Sequence, residues 1–363
     1  MAKLVFLISG GPQQLLSSIA LLQQLDRGDD VAGVLSYVGG DRRIVDFEKY
    51  VCRCFGYKYL GSIENLKDEI SEVCIGSLGQ LIKSFFRKDL VGEIRLWLHG
   101  KGFASLLHCS TLVMPYRKNL VSDNILLNSV APQEVLFVPD GAYLSLNKNI
   151  AKRIFFKMFG VENFLKKGLC KFYLPPYLAS QEMIPFDVNS LHVESLQNVY
   201  DVLRSNVLEV IEENCIDLLH KPVSVLVWQN LFPKFFSDKD YYLSFFSKVI
   251  DSELEISPYL LIVKPHPRST PLEIEELKKS LPSNALARVH FVEDDVLIAC
   301  PVEVFYGCLD IKRMVGVAST ALISFKGYDG VDIGFYTSSR FSNKLQSEIK
   351  RVASVVQSDL ITL

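Results

Sequence analysis

The sequence has little tryptophan and methionine, 2 and 5 of its 363 residues, and no long unbroken apolar run. No stretch approaches the ~18–20 residues needed to span a bilayer, so a membrane-spanning helix is not expected. Neither sign of charge is in excess: 39 Lys plus Arg stand against 41 Asp plus Glu, for a net charge of −2. A nucleic-acid binder working through a basic face has a different balance. Eight cysteines are present, but no CxxC pair and no zinc-ligand spacing, and only Cys52 and Cys54 lie close together. They read as reduced core residues. The apolar stretch Leu4–Ile8 is broken at once by Ser9-Gly10-Gly11-Pro12, too short for a signal-peptide core. A soluble, cytoplasmic chain is the expectation.

What is there suits packed domains. Hydrophobic residues make up 49% and charged residues 22%, which excludes disorder at this level. At roughly 100–200 residues per domain, the length predicts two domains. Leu4–Ile8 reads as a strand, and Pro12 fits the first position of a helix that buries Leu15, Leu16, Ile19, Leu22 and Leu25. Val31–Tyr37 reads as a strand and Arg42–Gly56 as a helix. Arg95–Leu98 and Val135–Val138 are further apolar runs of strand length. Leu174–Phe186, with three prolines and no helical period, is the best linker. A long amphipathic helix follows through Val202, Leu203, Val207, Leu208 and Ile211. The alternation then restarts with strands at Val223–Trp228, Tyr259–Val263, Val289–Val292, Met314–Val317 and Asp332–Tyr336, and helices at Lys239–Ile250 and Pro271–Ser280. This pattern predicts an α/β protein of two doubly wound Rossmann-like domains facing across a cleft. The expected spans are 1–180 and 190–340, with 341–363 forming a helix that returns to the first domain.

Doubly wound sheets bind ligands at the carboxyl ends of their strands, which singles out four sites. Lys264-Pro265-His266-Pro267-Arg268 follows one strand, and its prolines restrict the backbone around His266. A histidine so placed, beside two cations, can donate a hydrogen bond or a proton to a phosphate oxygen; an isolated His-Pro is more often a packed turn. Val317-Ala318-Ser319-Thr320-Ala321 opens a helix, where hydroxyls and backbone N–H groups suit an anion, or merely cap the helix. Glu303, in Pro301-Val302-Glu303-Val304, either gains from a helix dipole or accepts from two ribose hydroxyls. Pro139-Asp140-Gly141 follows a strand of the first half, and Gly141 permits a turn that presents Asp140 as a base. Asp-Gly is also among the commonest loop dipeptides.

In this order the four sites resemble the bacterial sialyltransferases and polysialyltransferases. Their acidic-acidic-glycine motif is matched by Asp140-Gly141, with Pro139 at the first acidic position. Their His-Pro motif is matched by His266-Pro267, their ribose-binding glutamate by Glu303, and their Ser-Ser/Thr motif by Ser319-Thr320. Ser9-Gly10-Gly11-Pro12-Gln13-Gln14-Leu15-Leu16 is similar to the family's opening strand and helix start. The matches run from about residue 8 to residue 320, as short islands.

The resemblance implies a GT-B fold, with a CMP-sugar held by the second domain and the acceptor by the first, near Gly10, Gly11, Gln13 and Gly141. Asp140 would take the acceptor proton, and the hydroxyl would attack the anomeric carbon with inversion. His266 would assist the departing phosphate, with Ser319 and Thr320 stabilising its charge and Pro267 shaping the turn. Glu303 would hold ribose, and Lys264 would contact cytosine or phosphate. No cofactor and no metal is implied: a nucleoside monophosphate carries less charge than a diphosphate. Glu293-Asp294-Asp295, the one acidic cluster worth naming, reads as a solvated loop.

The partners implied are CMP-sialic acid and a glycan acceptor in cell-surface oligosaccharide or polysaccharide such as lipopolysaccharide or capsule, and no nucleic acid. CMP-Kdo is the nearest rival donor. Polysialyl synthesis is a second alternative, kept open by Lys148, Lys152, Arg153, Lys157, Lys166, Lys167 and Lys171, which oppose only Glu162. That basic stretch also carries Phe155, Phe156, Phe159 and Phe164, which suit peripheral contact with the inner face of the cytoplasmic membrane. A non-catalytic glycan-binding protein on a degenerate transferase fold is the reading from a different class, with Pro139 as its support.

Overall fold

The computed structural model describes residues 4–37, 41–63, 90–116, 120–139, 168–179, 188–219, 221–236 and 238–363. The chain divides into two compact units, Met1–Val199 and Tyr200–Leu363. The division falls inside a long helix rather than in the proline-rich 174–186 segment, and residues 341–363 belong to the second unit.

The first unit holds a parallel sheet with strand order β3-β2-β1-β4-β5-β6-β7. Its strands are β1 (Val5–Ser9), β2 (Val31–Ser36), β3 (Tyr59–Ser62), β4 (Thr111–Tyr116), β5 (Glu134–Pro139), β6 (Cys170–Leu174) and β7 (Val188–Ser190). Its helices are α1 (Pro12–Gln24), α2 (Arg42–Cys54), α3 (Leu90–Gly100) and α4 (Leu120–Val130), and α5 (Val193–Cys215) leads into the second unit. β1 and β4 are buried along their whole length, as befits central strands of a parallel sheet covered on both faces. Pro12 takes the first turn of α1, and the Asp41 carboxylate accepts from the Ile44 N–H to cap α2. Phe137 and Phe172 stack across β5 and β6, and Tyr116 of β4 meets both edge-to-face, with centroids 4.9–5.7 Å apart.

Two expectations change here. Arg95–Leu98 is not a strand but part of α3, because Ile94 and Leu98 are buried one turn apart while Arg95 and Leu96 face outward. The 174–186 segment contains the end of β6 and a helical turn at Pro176–Ala179, and β7 then adds to the same sheet, so the first unit runs through it.

The second unit repeats the plan with order β10-β9-β8-β11-β12-β13, again all parallel. Its strands are β8 (Pro222–Trp228), β9 (Leu260–Pro265), β10 (Val289–Phe291), β11 (Asp310–Gly316), β12 (Asp332–Thr337) and β13 (Leu360–Thr362). Helices α6 (Lys239–Ile256), α7 (Pro271–Ser280) and α8 (Asn343–Val356) pack beside them. Thr270 and Glu273 form a reciprocal capping box at α7, with Pro271 in its first turn. Helix α8, capped by Ser342, carries the chain on to β13, which pairs with β12. Trp228 at the end of β8 lies against Tyr242 and Phe246 of α6, with centroids 6.3 and 6.1 Å away. This aromatic wall fixes the carboxyl end of β8.

Candidate active site

In the second sheet, β8 is followed on one side by β9 and β10 and on the other by β11, so winding reverses between β8 and β11. Open α/β sheets bind ligands outside the carboxyl ends of their strands at such a point. The residue straight after β8 is Gln229. Its side-chain carbonyl accepts from the Ala318 N–H at 2.7 Å, tying the end of β8 to the loop after β11. Its own backbone carbonyl is held by the Tyr242 hydroxyl at 2.7 Å and by the Leu231 N–H at 3.0 Å.

Ser319 and Thr320 lie on that loop. Ser319 is buried, and its Oγ accepts from the Ala321 N–H at 3.3 Å; Thr320 is exposed. The helix they open is one turn, Ala321–Ser324, shorter than the pattern suggested, so its dipole is small. Its last residue, Ser324, places Oγ 2.6 Å from Glu303 Oε1 and 2.7 Å from the Ala321 carbonyl oxygen, two acceptors that its one proton serves in turn. Glu303 sits in a short helical turn, Val302–Phe305, and is only 3% exposed. Burial pushes its carboxyl above the usual range, opposed by the Ser324 hydrogen bond and by the Lys264 charge.

Lys264, expected to meet cytosine or phosphate, is itself buried, and its ammonium donates to the Ile298 carbonyl at 2.5 Å and the Pro265 carbonyl at 3.2 Å. It braces the segment that leads to Glu303. His266 is half-buried at the end of β9. Its Nδ1 accepts from the Arg268 N–H at 3.1 Å, so the neutral ring carries its proton on Nε2. Burial, with the charges of Arg268 and Lys264 adding to it, lowers its pKa to about 4. The Ser269 N–H closes this turn on the His266 carbonyl at 2.8 Å, with Pro267 half-buried inside it. Glu293-Asp294-Asp295 has structural partners: Asp294 caps Asp295–Ala299, and Glu293 pairs with Lys278.

In the first unit, winding reverses between β1 and β4. Gly10 and Gly11 follow β1, and Gly11 has φ 153°, a left-handed value that favours glycine, with open space where a side chain would stand. Gln13 is half-buried in the first turn of α1, while its neighbour Gln14 binds the Gly10 N–H. Ser9 Oγ donates to Glu48 Oε1 at 2.5 Å, and Glu48 is fully buried. Burial raises the Glu48 carboxyl to about 7, against the hydroxyls of Ser36 and Ser9. β5 ends at buried Pro139; Asp140 and Gly141, and residues 148–167 of the basic stretch, lie outside the described residues.

The structure thus gathers Lys264, His266, Glu303 and Ser319 with Thr320 at one end of one sheet, and Gly10, Gly11 and Gln13 at the corresponding end of the other. Sequence reasoning missed Gln229, Ser324, Gln14 and Glu48. Gln229 follows a legible strand, and Glu48 is a carboxylate in register with the apolar face of an amphipathic helix, so both left a signal.

Comparison with known proteins follows the same lines. The family model described as alpha-2,8-polysialyltransferase matches residues 142–333. No curated protein matches the sequence. Among solved structures, an alpha/beta-galactoside alpha-2,3-sialyltransferase from Photobacterium phosphoreum superposes with TM-score 0.54 at 8% identity, covering 99% of this chain and 98% of its own. A putative UDP-N-acetylglucosamine 2-epimerase from Listeria monocytogenes gives TM-score 0.52 at 11% identity, covering 99% of this chain and 89% of its own. These likenesses show the fold, two Rossmann-like α/β units of GT-B type.

Proposed function

The chain belongs to the alpha-2,8-polysialyltransferase family, and from that premise we propose that it transfers sialic acid from CMP-sialic acid to a hydroxyl of a glycan acceptor, with inversion and without a metal. That it is a glycosyltransferase of the sialyltransferase type follows from the family. One observation carries the donor half of the reading. Gln229, Ser319 and the Lys264–His266 strand end surround the switch point of the second sheet, where a nucleotide is expected.

In this reading the acceptor oxygen attacks the anomeric carbon as the bond from that carbon to the CMP phosphate oxygen breaks. Asp140 takes the hydroxyl proton, and the electron pair leaves with the phosphate. His266 donates Nε2–H to the departing oxygen. Because the ring is neutral at pH 7, it begins as a hydrogen-bond donor, and the negative charge of a bound phosphate raises its basicity towards proton transfer. Ser319 and Thr320 add donors on the other side of the phosphate. Glu303, held by Ser324, takes the ribose side. Lys264 acts from within by bracing the Glu303 segment. A histidine and oriented hydroxyls suffice for a monophosphate leaving group, which is the ground for omitting a metal and any other cofactor.

A second reading, synthesis of a sialic acid polymer, is favoured by the family match itself. It would call on the basic stretch from Lys148 to Lys171 to hold a polyanionic acceptor, and it suits an enzyme at the cytoplasmic membrane face. The test is CMP release from CMP-sialic acid, with CMP-Kdo, UDP-glucose and GDP-mannose in parallel and lactose or a sialylated oligosaccharide as acceptor. Release from CMP-sialic acid supports the donor. Turnover of CMP-Kdo alone changes the sugar, and use of UDP or GDP sugars alone overturns the reading. Extension of the sialylated acceptor into a ladder selects the polymer.

A further inference from the structure

The carboxyl assigned to ribose is carried on one helical turn, Val302–Phe305, which is too short to hold itself. The last carbonyls of such a turn have no partner further along a helix and must find one elsewhere. The Glu303 carbonyl accepts from the Tyr306 N–H at 3.3 Å, and the Phe305 carbonyl from the Cys308 and Leu309 N–H groups at 3.1 and 3.0 Å. The carbonyl between them, that of Val304, accepts from the side chain of Arg204, whose Nε lies 3.0 Å away. Arg204 belongs to α5, 100 residues earlier in the chain.

The guanidinium is fixed by two further contacts. Nη1 pairs with Asp201 Oδ1 at 2.5 Å, one turn back on α5. Gly307, with φ 95°, has a left-handed backbone that favours glycine. A Cβ there would stand 3.2 Å from Cζ, 3.2 Å from Nη1 and 3.5 Å from Nε of Arg204. Three atoms of one plane at nearly equal distances mean that the guanidinium lies face-on to Gly307, a fit that a side chain would disturb. The Glu303 carboxyl itself answers to Ser324 and Lys264, so Arg204 acts on it through the backbone.

We propose that Arg204 is a positioning residue for the nucleotide's ribose: it fixes the Val302–Phe305 turn so that the Glu303 carboxyl meets two ribose hydroxyls. Arg204 touches neither ribose nor phosphate in this role. It holds the backbone, while Ser324 holds the carboxyl. A carboxyl that serves two hydroxyls at once tolerates little displacement, since hydrogen bonds weaken beyond about 3.2 Å. Lysine is no substitute, because an ammonium has no flat face to lay on Gly307 and no fixed fork to serve Val304 and Asp201 together.

This inference rests on the reading that Glu303 holds ribose. The experiment compares CMP with dideoxycytidine monophosphate, which lacks both ribose hydroxyls, by calorimetric titration of the full chain as wild type, R204M and D201A. R204M is expected to bind CMP about tenfold more weakly, the weight of one hydrogen bond, and the dideoxy nucleotide as wild type does. D201A loosens the guanidinium at an exposed position and should move CMP the same way by about threefold. It decides the matter should R204M fail to fold. With CMP-sialic acid, the donor KM of both variants should rise while the acceptor KM holds. Equal losses for the two nucleotides mean a general structural role and overturn the proposal, as does wild-type CMP affinity in both variants.

Failure of the premise reads differently. A wild type that binds both nucleotides equally, or neither, refutes the ribose assignment and with it the part played in binding. Amide exchange at Val304 and Tyr306, whose N–H groups donate to Pro301 and Glu303 within the turn, then still judges the brace. R204M and D201A should quicken that exchange, and unchanged exchange overturns the brace as well.

Discussion

Ser324 Oγ lies 2.6 Å from Glu303 Oε1 and donates to it, joining the loop after β11 to the buried turn between Asp295–Ala299 and β11. In the sequence these are separate islands 21 residues apart. In the fold one hydroxyl couples the phosphate-side loop to the carboxyl assigned to ribose. The same carboxyl feels the Lys264 charge, so the three candidate sites of the second unit form one electrostatic group.

The first prediction follows from that hydrogen bond. S324A leaves a buried carboxyl oxygen without its donor, at a cost of about 1–3 kcal/mol in stability. CMP affinity is expected to fall together with thermal stability, whereas T320A, at an exposed position, should lower CMP affinity with little change in Tm. Calorimetric CMP titration and thermal melts on both variants check this; an S324A protein with wild-type affinity removes Glu303 from the donor site.

The second concerns His266. Its depressed pKa, about 4, means that the free enzyme binds no proton there between pH 5 and pH 8. The kcat/KM profile should therefore lack a limb near the ordinary histidine value, and H266A should lower CMP release by about 10²–10⁴. The stability consequence has a definite sign. The unfolded chain binds the proton at about 6.5 and the folded chain only near 4, so this residue contributes no loss at neutral pH and destabilises the fold as pH falls through that window. Denaturant melts of H266N against wild type at pH 7 and pH 4.5 should converge on the wild type's disadvantage at the lower pH.

The third uses Gln229. Q229L removes the acceptor from the Ala318 N–H while keeping the side chain's bulk, so the loop carrying Ser319 and Thr320 loses its tie to β8. The expected result is a CMP affinity lower by about tenfold at nearly unchanged Tm. Q229E can still accept from Ala318 but brings a negative charge to a phosphate site, and should bind CMP less well than wild type and hold the loop equally well. Equal CMP affinity in all three proteins places the nucleotide elsewhere.

How far the sequence foretold this can be judged from particular residues. The alternation of strands and helices, the helix starts at Pro12 and Pro271, and the strand-end placing of His266 and Ser319 were legible because they depend on local spacing. Arg95–Leu98 misled because a short apolar run has no period of its own, and the turn-to-turn burial of Ile94 and Leu98 decided it. β4 has no counterpart among the strands read from the sequence; its Pro115 sits near the strand's end, opposite Val138. The proline-rich 174–186 segment resembled a linker, but parallel pairing of β6 with β7 keeps the chain in the first sheet. Gln229, Ser324 and Glu48 depend on contacts over 21 to 89 residues, which no local pattern encodes.

The last prediction is the stability counterpart of Glu48. Its carboxyl titrates near 4.5 in the unfolded chain and near 7 in the folded one. Below about pH 4.5 both states are protonated and the full stability is present; as pH rises towards 7 the unfolded chain releases its proton first, and stability falls. A difference of this size corresponds to about 3 kcal/mol lost by pH 8, at about 1.4 kcal/mol per unit. E48Q keeps a group that can accept from Ser9 and carries no charge, so it should be more stable than wild type at pH 8 and indistinguishable at pH 4.5. Paired denaturant melts at the two pH values read the difference directly. Glutamine would then serve the fold better than the buried carboxyl at the mouth of β1, and equal stability of wild type and E48Q at pH 8 would overturn that cost of burial.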